Sequence, residues 1–264
     1  MNILDKIVAR KRQEVAERKE VTTVAALERS PRFGRQPLSL KAALKDADKT
    51  GIIAEFKRKS PSKGMINAEA TVRRVTADYC RYGAAGLSVL TDEHFFSGAL
   101  ADLEAARDNE LPILRKDFVI DDYQVVEAKA FGADVILLIA ECLSAAEVNR
   151  LAQLARSLDM EVLLEMHSEA QLDKISPAVS LVGINNRDLT TFTVDLARSV
   201  ALAGKLPADM PRIAESGIDD VAVVRHLRQA GFNGFLMGEY FMKQPDPGAA
   251  FRDFAARLKE EPGI

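Results

Sequence analysis

Titratable side chains stand at the ends of several short apolar segments of this sequence. Glu55 and Lys57 end the first segment, Lys116 ends a second, and Glu165 and Glu215 end two later ones. Carboxylate and ammonium groups can transfer protons or bind anions when they are brought together. A parallel barrel presents the carboxyl ends of all its strands at one mouth, so residues that are distant in sequence can converge there. The pattern predicts an enzyme whose site lies at such a mouth.

Residues 55–64, EFKRKSPSKG, are the most specific local signal in the chain. Most basic runs are solvated loops. Here, however, a carboxylate on a predicted strand precedes the run, and a Ser-Pro-Ser insert interrupts it. We therefore favour a functional interpretation, in which Glu55 and Lys57 face the mouth.

Lys116 stands at the end of an apolar segment, where an unpaired ammonium group is costly to desolvate. It is therefore either half of a structural ion pair or an acid with a shifted pKa. The catalytic interpretation is favoured because Glu55 and Glu165 are expected at the same rim. Both glutamates could instead be simple ion-pair partners of Lys57 and Lys116, and the sequence leaves that alternative open.

Two groups of side chains indicate the character of a substrate. Asn185 and Arg187 follow the sixth predicted strand and could orient an anionic or hydroxylated molecule, whereas Asn186 is expected to stabilise the turn. Phe96 and Phe118 follow the second and third strands. Aromatic side chains in loops more often fill the core, but two of them beside two lysines would suit an aromatic, negatively charged substrate.

Glycines follow the last two predicted strands, where barrels commonly bind phosphate on backbone N–H groups. Gly217 and Gly238 would allow the backbone to approach such a ligand closely. Together they predict a phosphate site. The side chain of Glu239 must point away from that site because it would repel a phosphate group.

The sequence predicts an α/β fold, a single (β/α)8 barrel with an N-terminal helical extension. The strand candidates are near-continuous apolar runs, as expected for a parallel sheet covered on both faces. They are Ile52–Phe56, Gly86–Leu90, Ile113–Lys116, Val135–Ala140, Val162–Glu165, Leu181–Asn185, Ile213–Ser216 and Gly234–Gly238. Helical patterns between them include Ala68–Tyr82, Gln124–Phe131, Ala145–Leu158 and Asp219–Ala230. A doubly wound open sheet is disfavoured because no GxGxxG motif follows the first strand and eight units match barrel closure.

Residues 1–48 differ from the barrel region, which we place at 49–264. Apolar residues from Ile3 to Val15 recur at helical spacing, which predicts an amphipathic helix ending near Lys19. A loop follows, and then a second short helix with Ser39 as its N-cap and Leu44 near its end. We expect this extension to cover one end of the core. A roof over the active site is the sharper alternative.

Composition excludes several functional classes. The chain has 264 residues, of which 47% are hydrophobic and 28% charged, and a net charge of −3 argues against a nucleic-acid surface. Charged residues interrupt the N-terminal apolar stretch, so no secretory signal is expected, and no run approaches the ~20 apolar residues of a membrane span. We therefore expect a cytoplasmic protein that does not act at a membrane.

The cysteines and histidines show no metal-binding pattern. Cys80 and Cys142 fit no CxxC or Cys/His spacing, so we expect two reduced thiols and no metal site. His94 and His167 adjoin the predicted rim, but nothing in the sequence demands a role for either of them.

The chain closely resembles the indole-3-glycerol phosphate synthase family of tryptophan biosynthesis. The resemblance extends from the N-terminal helix to residues 238–239. It rests on EFKRKSPSKG (55–64), LTDE (90–93), FFSG (95–98), LRKDF (114–118), GINNRDL (183–189) and ESG (215–217). It implies a (β/α)8 barrel with an N-terminal extension and no cofactor. The implied reaction converts 1-(2-carboxyphenylamino)-1-deoxyribulose 5-phosphate to indole-3-glycerol phosphate, CO2 and water.

The resemblance also implies roles for individual residues. Lys116 would be the general acid at the substrate ketone, and Glu165 the acid/base group of later proton transfers, with Glu55 close by. Lys57 would either bind substrate anions or donate the dehydration proton. The other implied site residues are Asn185 and Ser216 at the reacting region, Phe96, Phe118 and Leu189 around the anthranilate ring, Arg187 at the rim, Ser60, Gly217 and Gly238 at the substrate anions, and Glu215.

Some positions depart from the family pattern, and two rival functions are disfavoured by the residues at the rim. Glu141, Cys142 and Tyr240 put the local shape of the mouth in doubt. Phosphoribosylanthranilate isomerase would require a Cys/Asp acid–base pair where this chain has Glu55 and Lys116. A catalytically dead barrel that serves as a binding subunit should have lost the titratable rim residues. The protein itself is expected to be a monomer that associates at most weakly with other enzymes of the pathway.

Overall fold

Eight parallel strands form a closed barrel in the computed structural model, which describes residues 3–187 and 193–260. In chain order, strands β1 to β8 are Ile52–Phe56, Gly86–Leu90, Ile113–Lys116, Val135–Ile139, Glu161–Met166, Leu181–Asn185, Arg212–Glu215 and Gly234–Met237. Each strand pairs with its neighbours in the chain, and β8 pairs with β1. The predicted (β/α)8 barrel is confirmed, and the open doubly wound sheet is excluded.

The strands are buried on both faces, which explains their near-continuous apolar sequences. Side chains that point outward pack under the surrounding helices in one large cluster. A second, smaller cluster fills the barrel interior and consists of Leu40, Ile53, Leu114, Val135, Leu137, Ile139, Leu163, Leu181, Ile213 and Leu236. Apolar side chains therefore fill the interior below the mouth, and the polar residues are left at the strand ends.

Helices surround the barrel. Helices α1 to α12 are Ile3–Val21, Val24–Glu28, Leu40–Ala43, Val72–Arg81, Glu93–Phe96, Leu100–Ala106, Asp122–Ala130, Ala145–Ser157, Leu196–Ala203, Val221–Gln229, Glu239–Met242 and Pro247–Lys259, and a 3₁₀ helix spans Glu169–Lys174. Polar caps start several of them, as in the reciprocal capping box of Ser144 and Glu147 at α8. In the described part of the chain, no helix has the length and apolar character that a membrane span requires.

Local side-chain hydrogen bonds move the helix starts away from the predicted positions. The helix predicted from Ala68 begins at Val72, because Asn67 Oδ1 accepts a hydrogen bond from the N–H of Ala70 and holds a turn there. The helix predicted from Gln124 begins two residues earlier, where Asp121 caps it. A short hairpin between Lys59–Ser60 and Gly64–Met65, in the loop after β1, was not predicted.

The N-terminal extension reaches both ends of the barrel. Helix α3 closes the end where the strands begin, and its Leu40 belongs to the interior cluster. A Cβ at Gly86, the first residue of β2, would lie 2.7 Å from Leu40 Cδ1, so the glycine allows Leu40 to pack closely against the strand. Helix α1 instead places Ile3 and Ile7 at the opposite end, in the wall of the mouth. The extension therefore covers one end of the core and also borders the active-site mouth. The domain boundary after residue 48 stays a prediction.

Leu40→Ala is expected to destabilise the protein by about 2–5 kcal/mol, since it opens a cavity at the closed end of the barrel. Leu40 is 1% exposed, whereas Leu38, two residues earlier, is 38% exposed. Leu38→Ala is the matched control and should change the free energy of unfolding by about 0.5 kcal/mol or less. Urea unfolding measures both changes, and equal effects would contradict the assigned role of Leu40.

Candidate active site

A cavity of about 500 Å³ opens at the carboxyl ends of the strands. It is lined by every predicted site residue that the structure describes, namely Glu55, Lys57, Ser60, Phe96, Lys116, Phe118, Glu165, Asn185, Arg187, Glu215, Ser216, Gly217 and Gly238. Leu189 lies outside the described residues. The structure thus brings these side chains to one mouth, while their individual roles stay predictions.

The titratable residues form one layer because they come from alternate strands. Glu55 lies on β1, Lys116 on β3, Glu165 on β5 and Glu215 on β7. Side chains from alternate strands of such a barrel point inward at the same height. Gly183 on the intervening strand leaves room for this layer, since a Cβ there would lie 2.0 Å from Glu215 Oε1.

The ammonium group of Lys116 lies between two buried carboxylates. Its Nζ is 2.9 Å from Glu165 Oε2 and 3.5 Å from Glu215 Oε2. The opposite oxygen of Glu165 accepts a hydrogen bond of 3.0 Å from Asn185 Nδ2. His167 Nε2 also lies 3.4 Å from that oxygen, a contact that the sequence did not reveal. Glu165 is therefore held from both sides, with one oxygen directed at Lys116.

A second ion pair lies on the first strand and its loop. Lys57 Nζ is 2.7 Å from Glu55 Oε1, and Glu55 Oε2 accepts a hydrogen bond of 3.2 Å from Ser88 Oγ. Gly238 allows this arrangement, since a side chain there would lie 2.8 Å from Glu55 Cβ. The ion-pair interpretation and the catalytic interpretation are thus compatible, because the same ion pairs line the cavity.

The distances determine how the protons are distributed. Burial opposes the charge of Lys116, but Glu165 and Glu215 outweigh it and raise the pKa of the ammonium group. Burial also disfavours the ionised form of Glu165, yet Lys116 outweighs it and lowers the pKa of Glu165 to about 2. Burial and then the charge of Glu165 raise the pKa of Glu215 to about 8. At neutral pH the Lys116–Glu165 pair is therefore ionised, and it lies beside a protonated Glu215 that can donate.

The raised pKa of Glu215 predicts a pH-dependent stability difference between the wild type and Glu215→Gln. The folded protein retains a proton that the unfolded chain loses above its ordinary pKa of 4.5. This stabilisation is complete below that value and is lost as the pH rises through about 8. Thermal unfolding between pH 5 and pH 9 should show the wild-type midpoint falling relative to that of the variant. A pH-independent difference would contradict the assignment.

The loop after β7 has unusual backbone geometry. Ser216 and Gly217 both have positive φ angles, 67° and 68°, and the first of them is not a glycine. Asn186 supports this conformation, because its Nδ2 donates a hydrogen bond of 2.7 Å to the carbonyl oxygen of Ser216. Its N–H also donates to the carbonyl oxygen of Glu215 at 2.8 Å. Asn186 thus has a structural role, as expected, but it stabilises the loop after β7, where it holds two cavity-lining residues in place.

Three loops meet at the rim through weaker polar contacts. Arg187 lies 3.4 Å from Ser62 Oγ and 3.5 Å from Glu239 Oε2, and Lys63 Nζ is 3.8 Å from Glu239 Oε1. Ser60 Oγ lies 3.4 Å from that of Ser62. Glu239, which was expected to point away from a phosphate site, instead lines the cavity, where Arg187 and Lys63 compensate its charge. The mouth therefore joins the loops that follow β1, β6 and β8.

One wall of the cavity is apolar. The rings of Phe96 and Phe118 lie 6.1 Å apart between centroids. Ile3, Leu4 and Ile7 from α1 also line the cavity. Sequence reasoning did not assign these three residues to the site, although their helical spacing was the available signal. An apolar wall that carries two aromatic rings suits an aromatic ligand.

The departures from the family pattern leave the titratable layer intact. Tyr240 lines the cavity next to Gly238. Glu141 points to Gln171, whose Nε2 donates a hydrogen bond of 2.5 Å to it, and Cys142 packs against the barrel interior. Neither cysteine is among the described residues that line the cavity. Within the described ranges, no three His, Cys, Asp or Glu side chains form a group suited to a metal ion.

Comparisons with solved structures show the fold. The chain superposes on 3-hexulose-6-phosphate synthase with a TM-score of 0.61 at 14% identity, covering 78% of this chain and 99% of that one. The tryptophan synthase α subunit of Legionella pneumophila gives 0.61 at 13% identity, with 83% and 96% covered. At such low identity these likenesses support the barrel alone.

Comparisons of sequence go further. The model of the indole-3-glycerol phosphate synthase family matches residues 4–254. The chain is 47% identical to indole-3-glycerol phosphate synthase of Bacteroides thetaiotaomicron, over 98% of this chain and 99% of the relative. It is also 47% identical to that of Polaromonas sp., over 94% and 96%. With matches over nearly its whole length, the chain belongs to the indole-3-glycerol phosphate synthase family.

Proposed function

We propose that the protein is a carboxy-lyase of tryptophan biosynthesis that forms the indole ring. It converts 1-(2-carboxyphenylamino)-1-deoxyribulose 5-phosphate to indole-3-glycerol phosphate, CO2 and water. The observation that supports this most directly is the position of Lys116. This ammonium group lies between Glu165 and Glu215, in a cavity that also has an aromatic wall. Ring closure onto a ketone requires such a proton donor beside an aromatic binding surface.

Lys116 starts the reaction. It donates a proton to the ketone oxygen while the ring carbon that bears the carboxylate forms a bond to the ketone carbon. The carboxylate then leaves as neutral CO2, and the electron pair of the broken bond restores the aromatic ring. Lys116 is left neutral and can recover a proton from the protonated Glu215, which lies 3.5 Å away.

Dehydration completes the indole. The hydroxyl group formed from the ketone leaves as water after it receives a proton, and the neighbouring carbon loses one. Glu165 is ionised and fixed by Asn185, which suits it to act as the base. Lys57 has two candidate roles, as donor of the dehydration proton or as a group that binds substrate anions. Glu55, 2.7 Å from Lys57, keeps it in place for either.

The remaining site residues place the substrate. Phe96, Phe118 and Leu189 are proposed to enclose the anthranilate ring. Backbone N–H groups at Gly217 and Gly238, with the hydroxyl of Ser60, are proposed to bind phosphate. The residues proposed to orient the reacting region and support the rim are Asn185, Ser216 and Arg187.

The setting of the enzyme follows from the same proposal. The protein is proposed to bind a phosphorylated aromatic small molecule as its substrate, and to bind neither nucleic acid nor a membrane surface. The protein is proposed to act in the cytoplasm as a monomer that associates at most weakly with other enzymes of the pathway. No cofactor enters the proposed steps, since each is a proton transfer or a bond rearrangement within the substrate.

The test is to incubate the purified protein with the carboxyphenylamino-deoxyribulose phosphate, without added metal or nucleotide. We expect indole absorbance to rise together with an equal amount of CO2. Phosphoribosylanthranilate serves as the control substrate for the rival isomerase activity and should remain unchanged. Turnover of that compound, or no release of CO2 from the first, would overturn the proposal.

A further inference from the structure

Lys11 in the middle of α1 carries a charged group that is completely buried. Its Nζ lies 2.9 Å from a carboxylate oxygen of each of Glu14, Asp92 and Asp117. Three carboxylate oxygens therefore surround this buried ammonium group and compensate its charge. Burial opposes the charge of Lys11, but Asp117 and Asp92 outweigh it and raise its pKa. The group therefore stays charged at neutral pH.

Asp117 connects Lys11 to the proton donor of the proposed mechanism. It stands between Lys116 and Phe118 at the end of β3. Its Oδ1, the atom that faces Lys11, also accepts a hydrogen bond of 2.8 Å from the N–H of Phe118. Its Oδ2 accepts one of 2.6 Å from the hydroxyl of Thr91 on the neighbouring loop. A displacement of Asp117 would therefore move its chain neighbours Lys116 and Phe118.

Asp92 connects Lys11 to the other half of the aromatic wall. It is the N-cap of α5, and its Oδ1 accepts a hydrogen bond of 2.7 Å from the N–H of Phe95. Its Oδ2 faces Lys11. Helix α5 carries Phe96, so the same ammonium group holds the segments that bear both rings of the wall.

Helix α1 itself contributes to the cavity on this side. Ile7 and Leu4 lie one and two turns before Lys11, and residues at this spacing share a helix face. Both line the cavity. Lys11 thus joins the cavity-lining turns of α1 to the loop after β2 and to the end of β3.

We infer that Lys11 is a positioning residue for the proposed reaction, because its ammonium group sets the aromatic wall and α1 at their working distance from Lys116. Lys11 does not line the cavity and contacts no reacting atom. The inference rests on the proposed function and extends it to a residue outside the reacting layer.

The test compares Lys11→Met with Arg35→Met. Methionine keeps most of the length of Lys11 and removes its charge. Arg35 is the matched control, since its guanidinium lies 2.5 Å from the buried Asp134, far from the mouth. In Arg35→Met, Asp134 still has an ion pair with Arg107. In Lys11→Met, Asp117 likewise still has an ion pair with Arg115, so each variant leaves its buried aspartate with one cation. Thermal unfolding is measured first, and the kinetics are then measured at a temperature at which both variants are folded.

For Lys11→Met we expect a higher KM and a lower kcat, with kcat/KM reduced roughly 10- to 100-fold, as a misplacement of about 1 Å would cause. Arg35→Met should keep both parameters within about two-fold of the wild type. If Lys11→Met does not fold, Lys11→Met/Asp92→Asn replaces it. That double variant removes one unpaired carboxylate, and asparagine is an equally good N-cap for α5.

Three outcomes overturn the inference. The first is a folded Lys11 variant with kcat/KM within two-fold of the wild type. The second is an equal kinetic loss in Arg35→Met, which would show a general effect of destabilisation. The third is a folded wild type that does not turn over the substrate, in which case the proposed function fails as well. A wild type that is active beside an unimpaired Lys11 variant refutes the positioning role alone.

Discussion

Lys116→Ala is expected to lower turnover by roughly 10²–10⁴-fold, the usual contribution of a positioned acid. The ammonium group lies 2.9 Å from Glu165 and 3.5 Å from Glu215, and alanine leaves no donor at the ketone. Folding should be preserved, because Lys116 lines the cavity and is not part of the apolar interior. Steady-state kinetics and circular dichroism of the variant measure the two effects.

Lys59→Ala is the matched control for this experiment. Lys59 lies in the same basic run of residues 57–63, and among the described residues its Nζ donates one hydrogen bond, to the carbonyl oxygen of His94 at 3.4 Å. Its removal should leave turnover within about two-fold. Near-normal turnover in Lys116→Ala would remove Lys116 from the mechanism, and an equal loss in Lys59→Ala would show that net charge at the mouth is what matters.

Glu165→Gln is the second large expected effect, again a loss of roughly 10²–10⁴-fold in turnover. Glutamine keeps the shape of the side chain, but it can neither accept the proton nor balance the charge of Lys116. The charge of Glu165 helps to raise the pKa of Glu215, so the substitution should also lower that pKa. The basic limb of the pH–rate profile should therefore move to lower pH if Glu215 supplies protons.

Glu169→Gln is the control, because Glu169 lies on an exposed 3₁₀ helix and pairs with Lys205 on the surface. Its turnover and pH profile should match those of the wild type. If Glu165→Gln keeps more than a tenth of wild-type turnover, Glu165 is a structural ion-pair partner of Lys116. That outcome would restore the alternative that the sequence left open.

Strand positions were predictable because a covered parallel strand needs apolar side chains at every position. Each of the eight predicted strands lies within one residue of its observed bounds. Helix starts were less predictable. Asn67 and Asp121 determine them through single hydrogen bonds, and such side chains can either extend a helix or stop it.

The candidate site was predictable as a set of residue types at strand ends, but its wall was not. Ile3, Leu4 and Ile7 belong to a helix whose apolar face could have packed anywhere on the barrel. The buried charge of Lys11 was equally hidden, because a lysine between polar residues of an amphipathic helix is usually solvated.

The sequence by itself determined the order of strands and helices, the closure into eight units and the residues that end each strand. Near-continuous apolar runs are local properties, and they were enough to place Glu55, Lys116, Glu165 and Glu215 at one mouth. The tertiary structure decided which of these carboxyl groups retains its proton. It also decided that Lys11 is enclosed by three carboxylates. Both depend on burial and on contacts of a few ångströms between residues that are far apart in the sequence. Such contacts exist only after the barrel has closed.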